Sequence, residues 1–585
     1  MSLFRKKIID PNAGSEDENP HGGQSLTKVL TVRDLTFFGI AAILGAGSFS
    51  SLGGAVFNGG PGVIILFIIV AVACGFTAFC YSEFASRIPI AGSAYTYAYV
   101  SFGEMFAWII GWALLMEYSI GNIYVAYSWS DYFTSLMEKC GVHFPEYLST
   151  SYMEAKKAML KYISDGTANK ELMLAWQSAP TIGGLKMIID IPAICINALI
   201  TYLVYRGVKE SRNFSNIMVI LKMIVVVIVI LVGGYLVFSR GLVFNWHPAN
   251  TEGEHLFMPN GFKGIMLAVS GVFFAYIGFD AVSVLAEESK NPQRDLPRGM
   301  IYSLVICTVV YILLSLVLTG AVDYKKFDGV GDPLAFIFEK DNLNLGWMQF
   351  LVAICAVIAM SSVLLVFQMG QPRIWMTMSR DGLLPNKFQK IHPKFKTPSF
   401  ATILTGFIVG VPLIFTDKTF VLDFTSIGTL FAFVLVCGGI LVIPRRPRVK
   451  GKFHLPYVNA AYVFPVLLAG VAAYLYFYSD YFKDLSKFNY TNNPEFVSGK
   501  KSFMDMAMVQ ISSYIFWGVC VILAVLSIIK KYSLIPLLGL VSCLYLLTGM
   551  TKDNWAWFLA WLAIGLVIYL LYGYKKSKLA GEPKK

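Results

Sequence analysis

The chain has 585 residues, of which 56% are hydrophobic and only 14% are charged. Its repeated apolar runs of about 20 residues are each long enough to cross a bilayer, which excludes a soluble protein. The formal net charge of +12 does not indicate a nucleic-acid partner, because the basic residues are distributed as membrane topology requires.

Fourteen apolar spans follow one another along the chain. Because lipid offers no water to satisfy backbone groups, each span is predicted to be a helix, and the fold class is an all-α polytopic membrane protein. The spans cover approximately residues 35–57, 61–86, 102–134, 189–206, 215–238, 263–287, 299–322, 346–378, 398–416, 420–443, 457–480, 508–529, 533–550 and 554–574. The first 34 residues are polar and hold no apolar run, so no cleavable signal peptide is expected.

Lysine and arginine indicate the orientation of the spans. With the amino terminus in the cytoplasm, the basic stretches "FRKK" (4–7), "RRPRVKGK" (445–452) and "YKKSK" (574–578) all lie on the cytoplasmic side, whereas the short outer loops hold few basic residues. Both termini are therefore predicted to lie in the cytoplasm, and the chain in the cytoplasmic membrane.

The domain organisation follows from these spans. It comprises a cytoplasmic tail at 1–34, a transport core at 35–443, a cytoplasmic loop with helix 11 at 444–480, an extracellular loop at 481–507, helices 12–14 at 508–574 and a cytoplasmic tail at 575–585. A second long extracellular loop is predicted at 135–188, and its role is left open. The nine cysteines are interpreted as small apolar side chains rather than as disulfides or metal ligands.

Charged residues at membrane depth cost about 2.5 kcal/mol or more each, and usually mark a pathway or an internal pair. Glu117, in "LLMEYSIGN", is either a structural partner inside the bundle or a polar group of a pocket. Asp280, in "AYIGFDA", either caps a half-helix or belongs to the same pocket. No histidine lies in a span, which excludes a histidine proton relay.

Lys222, in "VILKMIVVV", has two interpretations. It lies about seven residues, or roughly 10 Å, from the start of the fifth span, so its ammonium group can extend to the membrane interface. Alternatively, Lys222 is buried. Burial favours the neutral form of an amine, so a buried lysine can alternate between charged and neutral states and couple transport to protons.

Two of the spans are interrupted by glycine. The first reads "FFGIAAILGAGSFSSLGG", with Gly45 and Gly47 near its middle, and the sixth carries Gly278. Paired interruptions in corresponding halves of an inverted repeat indicate a transporter binding site. Broken helix ends expose N–H groups for a carboxylate and C=O groups for an ammonium, and a zwitterionic α-amino acid needs both. Close helix packing is the alternative explanation of such glycines.

Four stretches resemble the amino acid–polyamine–organocation superfamily, and most closely its cationic amino acid transporter family, including proton-coupled bacterial members. "GFDAVSVLAEESKNPQRDLPRG" (278–299) is similar to the family's segment 6 and the loop after it, and "GQPRIWMTMSRDGLLP" (370–385) to its exit from segment 8. "DFTSIGTLFAFVLVCGGILV" (423–442) resembles segment 10, and "ESRNFSNIMVILKMIVV" (210–226) resembles segment 5 with its lysine. The resemblance covers about residues 30 to 480.

The resemblance implies the fold of the bacterial leucine transporter, with inverted repeats of five helices each at about 35–238 and 263–443 and with helices 1 and 6 broken. It implies that the substrate contacts the backbone of Ile43, Ala46, Gly47, Phe274, Ala275 and Ile277, and that Phe274 is an aromatic lid. Lys222 would lie near segment 1 and the pair Ser361 and Ser362, where sodium-coupled relatives hold an ion. The chain departs from the family at Ser48, where Ile or Val is usual, so cationic and neutral substrates both remain open.

The leading hypothesis is therefore a secondary active transporter that moves an L-amino acid by proton-coupled symport and alternating access. Its partners are a small-molecule amino acid, a proton and the lipid bilayer, and neither a cofactor, a metal nor an obligate protein partner is expected. An amino acid exchanger, a sodium-coupled or polyamine carrier of the same fold, and a nutrient sensor with this fold are the alternatives. The chain holds no HExxH or GxSxG motif and no repeated selectivity sequence, which argues against an enzyme and a channel.

Overall fold

The computed structural model describes residues 5–6, 30–45, 47–88, 93–166, 170–207, 212–249, 254–395, 397–445, 447, 449, 452–478, 481–486 and 503–580. Ala46, a predicted substrate contact, lies outside the described residues, as do most of the tail 1–34 and most of the loop 481–507.

Helices account for nearly all of the regular structure. They are α1 (Val32–Ile43), α2 (Leu52–Gly59), α3 (Val63–Arg87), α4 (Ser93–Ser101), α5 (Glu104–Lys139), α6 (Tyr152–Asp165), α7 (Lys170–Ser178), α8 (Ile191–Arg206), α9 (Arg212–Ser239), α10 (Gly261–Leu267), α11 (Val269–Tyr276), α12 (Pro292–Ala321), α13 (Pro333–Phe336), α14 (Gly346–Arg380), α15 (Ser399–Gly410), α16 (Lys418–Val442), α17 (Ala460–Tyr478), α18 (Tyr481–Ser486), α19 (Phe503–Lys530), α20 (Leu534–Thr548), α21 (Lys552–Ile568) and α22 (Tyr574–Lys576). Two-residue strands, β1 (Thr181–Ile182) and β2 (Leu185–Lys186), form an antiparallel hairpin.

Within the described part of the chain, ten helical stretches are long and apolar enough to cross a membrane. One of them, Val32–Arg87, covers both the first and the second predicted span. The shorter apolar helices Ile191–Arg206, Ser399–Ile414 and Leu534–Thr548 lie at the fourth, ninth and thirteenth predicted spans. The prediction of an all-helical polytopic membrane protein is confirmed, with the small hairpin as an addition that the sequence analysis did not predict.

The longest helices, α5 and α14, run in opposite directions through the centre of the bundle and pack against each other. The indole N–H of Trp129 on α5 donates to the carbonyl of Val357 (3.1 Å) and to Oγ of Ser361 (2.9 Å) on α14. Such polar contacts between helices supplement van der Waals packing inside a membrane, because the hydrophobic effect contributes little to helix association there. We call the end of the bundle that holds Glu104, at the start of α5, the tail face. The opposite end is the loop face.

The predicted loop 135–188 is an ordered cap on the loop face rather than an irregular connection. It contains α6, α7 and the hairpin, which share a small apolar cluster of Ala155, Ala175, Ala179 and Ile188. The Ser151 hydroxyl caps the start of α6, which relieves an unsatisfied N–H group there. Lys157 of α6 forms a 2.8 Å ion pair with Asp417, immediately before α16, so the cap is fastened to the membrane bundle.

Candidate substrate site

The first and sixth segments are both broken, and their breaks face each other. Segment 1 leaves α1 at Ile43 and resumes in a wide helical turn at Gly47–Ser51 before α2. Segment 6 leaves α11 at Tyr276 and resumes as a narrow 3₁₀ helix at Asp280–Glu288. Gly278 has φ +117°, which only glycine adopts without strain.

Contacts at the glycines show how close the two breaks are. A Cβ on Gly47 would lie 2.5 Å from Cα of Ala275, and one on Gly278 would lie 2.8 Å from Cβ of Ala42. A Cβ on Gly45 would lie 2.3 Å from Val363 of α14. Side chains at these positions would force the segments apart, so the glycines serve close packing as well as the break itself.

Carbonyl groups at the breaks are held by two buried polar side chains. Nζ of Lys222 donates to the carbonyls of Ala41 and Leu44, each at 2.9 Å, and Lys222 is only 2% exposed. The hydroxyl of Tyr311, on α12, lies 2.8 Å from the carbonyl oxygen of Ile43 and 2.7 Å from that of Ala275. Tyr311 therefore bridges the two breaks, and the sequence analysis did not identify it. A tyrosine in the middle of an apolar span was the available signal.

Lys222 points into the bundle rather than toward the membrane interface, as its bonds to segment 1 show. The two predicted serine neighbours make other contacts. Oγ of Ser361 donates to the carbonyl of Val357 (2.7 Å), and Oγ of Ser362 donates to that of Ala359 (2.6 Å). Hydrogen bonds thus connect Lys222 to segment 1 but not to these hydroxyls. The roles of all three in ion coupling remain predictions.

A small pocket lies between the two breaks and the central helices. Its lining residues are Ala42, Ile43, Gly47, Val125, Phe274, Ile277, Val363 and Phe367, and the cavity between them measures about 10 Å³, which is room for about one water molecule. Among the described residues, every side chain that lines the pocket is apolar. Val125, Val363 and Phe367 were not predicted, because an apolar residue in an apolar helix gives no sign of which way it faces.

An aromatic pair closes the pocket toward the loop face. The rings of Tyr124 and Phe274 lie 4.5 Å apart at 63°, a favourable edge-to-face arrangement. The Tyr124 hydroxyl is 3.4 Å from Oγ of Ser50 in segment 1. Phe274 is only 5% exposed. Its position agrees with the predicted lid, and the lid role itself remains a prediction.

The two carboxylates predicted for the pocket, Glu117 and Asp280, are buried but are not among its lining residues. Asp280 is the first residue of the 3₁₀ helix that follows the break in segment 6, and its carboxylate lies near the backbone of Gly278 and Ala281; its role as a cap or as a pocket residue remains a prediction. Glu117 is 4% exposed, and its Oε2 has no hydrogen-bond partner among the described residues. The Ser48 hydroxyl, at the position that departs from the family, donates to the carbonyl of Gly45 (3.0 Å). In the described part of the chain, no three metal-ligating side chains converge on one point.

Comparison with known proteins gives a family for this fold and site. The model of the amino acid permease family matches residues 30–497, and a model of the permease C-terminus matches residues 532–577. The chain is 34% identical over 580 residues to the branched-chain amino acid permease BcaP of Bacillus subtilis, covering 99% of each chain. It is 38% identical over 474 residues to the methylthioribose transporter of the same organism, covering 80% of this chain and 91% of that one.

A plant relative extends the comparison. The chain is 35% identical over 443 residues to cationic amino acid transporter 3, mitochondrial, of Arabidopsis thaliana, covering 76% of this chain and 66% of that one. The predicted family is confirmed, and the family and the names of the relatives indicate a permease rather than an enzyme. The chain belongs to the amino acid permease family, within the amino acid–polyamine–organocation superfamily and near its cationic amino acid transporters.

Proposed function

We propose that the protein is a secondary active transporter that carries a small neutral aliphatic L-amino acid across the cytoplasmic membrane by proton-coupled symport. One observation carries the proposal. The two helix breaks meet at a small pocket whose lining side chains are all apolar. The backbone at the breaks would bind the carboxylate and ammonium groups that all amino acids share, and the apolar wall would bind the side chain.

An apolar pocket disfavours charged side chains. Moving a charge out of water costs several kcal/mol unless a partner compensates it, and no carboxylate belongs to this lining. Lysine, arginine and polyamines are therefore disfavoured, since Glu117 lies outside the lining. Two of the relatives are named for a branched-chain amino acid and for methylthioribose, neither of which carries a net charge at neutral pH. The third is named for cationic amino acids, and binding experiments must separate these classes.

Coupling to protons is proposed for Lys222. Its ammonium binds two carbonyls in the break of segment 1. Loss of the proton would leave uncharged N–H donors, so both hydrogen bonds would weaken and that backbone could rearrange more easily. A sodium ion beside the charged lysine would be repelled, which disfavours sodium coupling. An amino acid exchanger, with Lys222 protonated throughout, is the alternative.

Alternating access is proposed for the chain as a whole. We propose that the chain crosses the membrane fourteen times with both termini in the cytoplasm, so that the tail face is the cytoplasmic face. We also propose that residues 35–238 and 263–443 form the two inverted repeats. The antiparallel breaks in the first and sixth segments support it, because discontinuous helices in corresponding halves are typical of such transporters.

A competition binding experiment tests the substrate class. Purified protein in lipid nanodiscs is incubated with tritiated valine and an excess of unlabelled leucine, isoleucine, lysine, arginine, putrescine or methylthioribose. We expect leucine and isoleucine to displace valine and the cationic compounds to be at least about 100-fold weaker, since 2.7 kcal/mol of uncompensated desolvation corresponds to that factor. Displacement by arginine or putrescine at similar concentrations would refute a neutral substrate.

A further inference from the structure

Glu104 is a buried carboxylate on the tail face, far along α5 from the pocket, and none of the preceding arguments uses it. It is the first residue of α5 and is 0% exposed. Its Oε2 accepts hydrogen bonds from the hydroxyls of Tyr99 (3.1 Å) and Ser577 (2.5 Å), and its Oε1 accepts one from Tyr569 (3.0 Å). A buried carboxylate requires such donors. Two of the three come from the end of the chain.

The amino-terminal tail meets the same carboxylate. The backbone N–H of Glu104 donates to the carbonyl of Arg5 (2.8 Å), and the Arg5 guanidinium lies 3.8 Å from Oε2. The guanidinium also lies over the ring of Tyr574, at 5.1 Å from its centre, within the range of a cation–π interaction. Both ends of the chain therefore converge on the start of α5.

The carboxyl-terminal residues also cross the end of α14. We call residues 569–580 the strap. The backbone N–H of Lys578 donates to the carbonyl of Asp381 (3.2 Å), just after α14. The next residue, Gly382, has φ +82°, and a Cβ there would lie 2.5 Å from the carbonyl oxygen of Lys576. The strap thus spans the tail-face ends of the two central helices.

The strap differs from the helix that precedes it in how it is attached. Helix α21 is held to α5 deeper in the membrane, where the indole N–H of Trp108 donates to the carbonyl of Gly565 and that of Trp112 donates to the carbonyl of Trp561, each at 2.8 Å. The strap begins directly after α21 with a wide π-type turn at Tyr569–Gly573. Such turns interrupt helices at sites of movement and function. Beyond this turn the strap makes polar contacts through Ser577 and Lys578 and apolar contacts through Tyr574 and Leu579.

We propose that the strap holds the tail face closed through its hydrogen bonds to Glu104, and that these bonds break when the site opens to that face. We call the strap in this role the latch. This inference rests on the alternating access of the proposed function but not on the identity of the substrate. It gives the last membrane segment a role in transport, since α21 would anchor the latch while the turn at Tyr569–Gly573 allows it to move.

Cysteine labelling tests the latch without any substrate. The protein is placed in lipid nanodiscs, where both faces are accessible, with the exposed Cys140 and Cys195 replaced by serine. Two buried reporters are compared. Ser283→Cys lies on the tail-face side of the break in segment 6, and Ser50→Cys lies on the loop-face side of the break in segment 1. Each is combined with Ser577→Asp, which sets a second carboxylate against Glu104, or with Ser577→Thr, which keeps the hydroxyl donor.

We expect a maleimide to label Ser283→Cys about tenfold faster in the Ser577→Asp background than in the Ser577→Thr background, while labelling of Ser50→Cys stays unchanged or slows. Equal labelling of Ser283→Cys in the two backgrounds would overturn the latch and leave the proposed function intact. Faster labelling of both reporters would also overturn it, because that result means general loosening. If Ser577→Asp does not fold, Ser577→Ala removes the donor with less disturbance and is judged by the same comparison.

Discussion

Gly47 is the position at which the closeness of the two broken segments can be tested most sharply. In Gly47→Ala the added Cβ would lie 2.5 Å from Cα and 3.0 Å from Cβ of Ala275. Both neighbours belong to or adjoin backbone, so the breaks must separate by about 1 Å to reach ordinary contact distance. Overpacking of this kind costs about 1–3 kcal/mol. Because each 1.4 kcal/mol is a factor of ten, substrate affinity should fall roughly 5- to 150-fold.

Gly54→Ala is the matched control for this change. Gly54 lies in α2, in the same half of segment 1, and a Cβ added there meets no atom within 4 Å. Alanine should stabilise that helix by up to about 1 kcal/mol and leave binding unchanged. Equilibrium binding of tritiated valine in nanodiscs, with the unfolding temperature measured in parallel, checks both variants. Wild-type affinity in Gly47→Ala, or an equal loss in Gly54→Ala, would refute the contact between the breaks as the basis of the site.

Three further changes address other parts of the molecule. Tyr311→Phe removes the hydroxyl that bridges the two breaks; valine affinity should fall roughly 2- to 13-fold, since one such bond contributes about 0.5–1.5 kcal/mol, and an unchanged affinity would contradict the bridge. Phe367→Ala removes a ring from the pocket lining and so enlarges the pocket. The affinity for phenylalanine, measured by competition, should rise about tenfold relative to that for valine, and an equal loss of affinity for both amino acids would argue that Phe367 only supports the fold. On the loop face, burial and the nearby carboxylate of Asp131 raise the pKa of Glu154 from 4.5 to about 7. The folded state then binds more protons than the unfolded state between these values, so stability should fall as pH rises from 4.5 to 7; in Glu154→Gln the unfolding temperature should fall less over that range, and parallel curves would contradict the assignment.

Some of the site could be predicted from the sequence because its signals are local. Gly45, Gly47 and Gly278 interrupt otherwise continuous apolar runs, and glycine in a helix carries a cost that calls for an explanation. Lys222 is equally conspicuous among apolar neighbours. The structure brings the predicted breaks together and directs the lysine to them.

Other parts of the site depend on tertiary packing and could not be predicted. Val125, Val363 and Phe367 line the pocket, but each lies in a helix whose few polar residues do not mark one polar face, so periodicity does not reveal its direction. Tyr311 acquires its role only because segment 7 passes both breaks. The hydroxyls of Ser361 and Ser362 bond carbonyls of their own helix, as serine in a helix often does, and their predicted place near Lys222 in ion coupling stays a prediction.

Glu104 and the loop-face cap were missed for a related reason. A carboxylate at the end of an apolar span resembles an ordinary solvated residue at the membrane border, and only the folded chain reveals that the strap covers it. The helices of residues 135–188 are short and of mixed polarity. Their apolar cluster forms only when the loop folds back on itself.

Uptake into proteoliposomes tests the central claim, that a proton gradient drives the transport of a neutral amino acid through Lys222. Wild type and Lys222→Met, which keeps the volume but removes the ammonium, are compared with tritiated valine at inside pH 7.5 and outside pH 5.5 or 7.5. We predict that only wild type accumulates valine above equilibrium and that it does so only with the gradient. Equal accumulation by both proteins would contradict the role of Lys222. Binding of valine without uptake by wild type under either condition would contradict transport itself and favour a sensor.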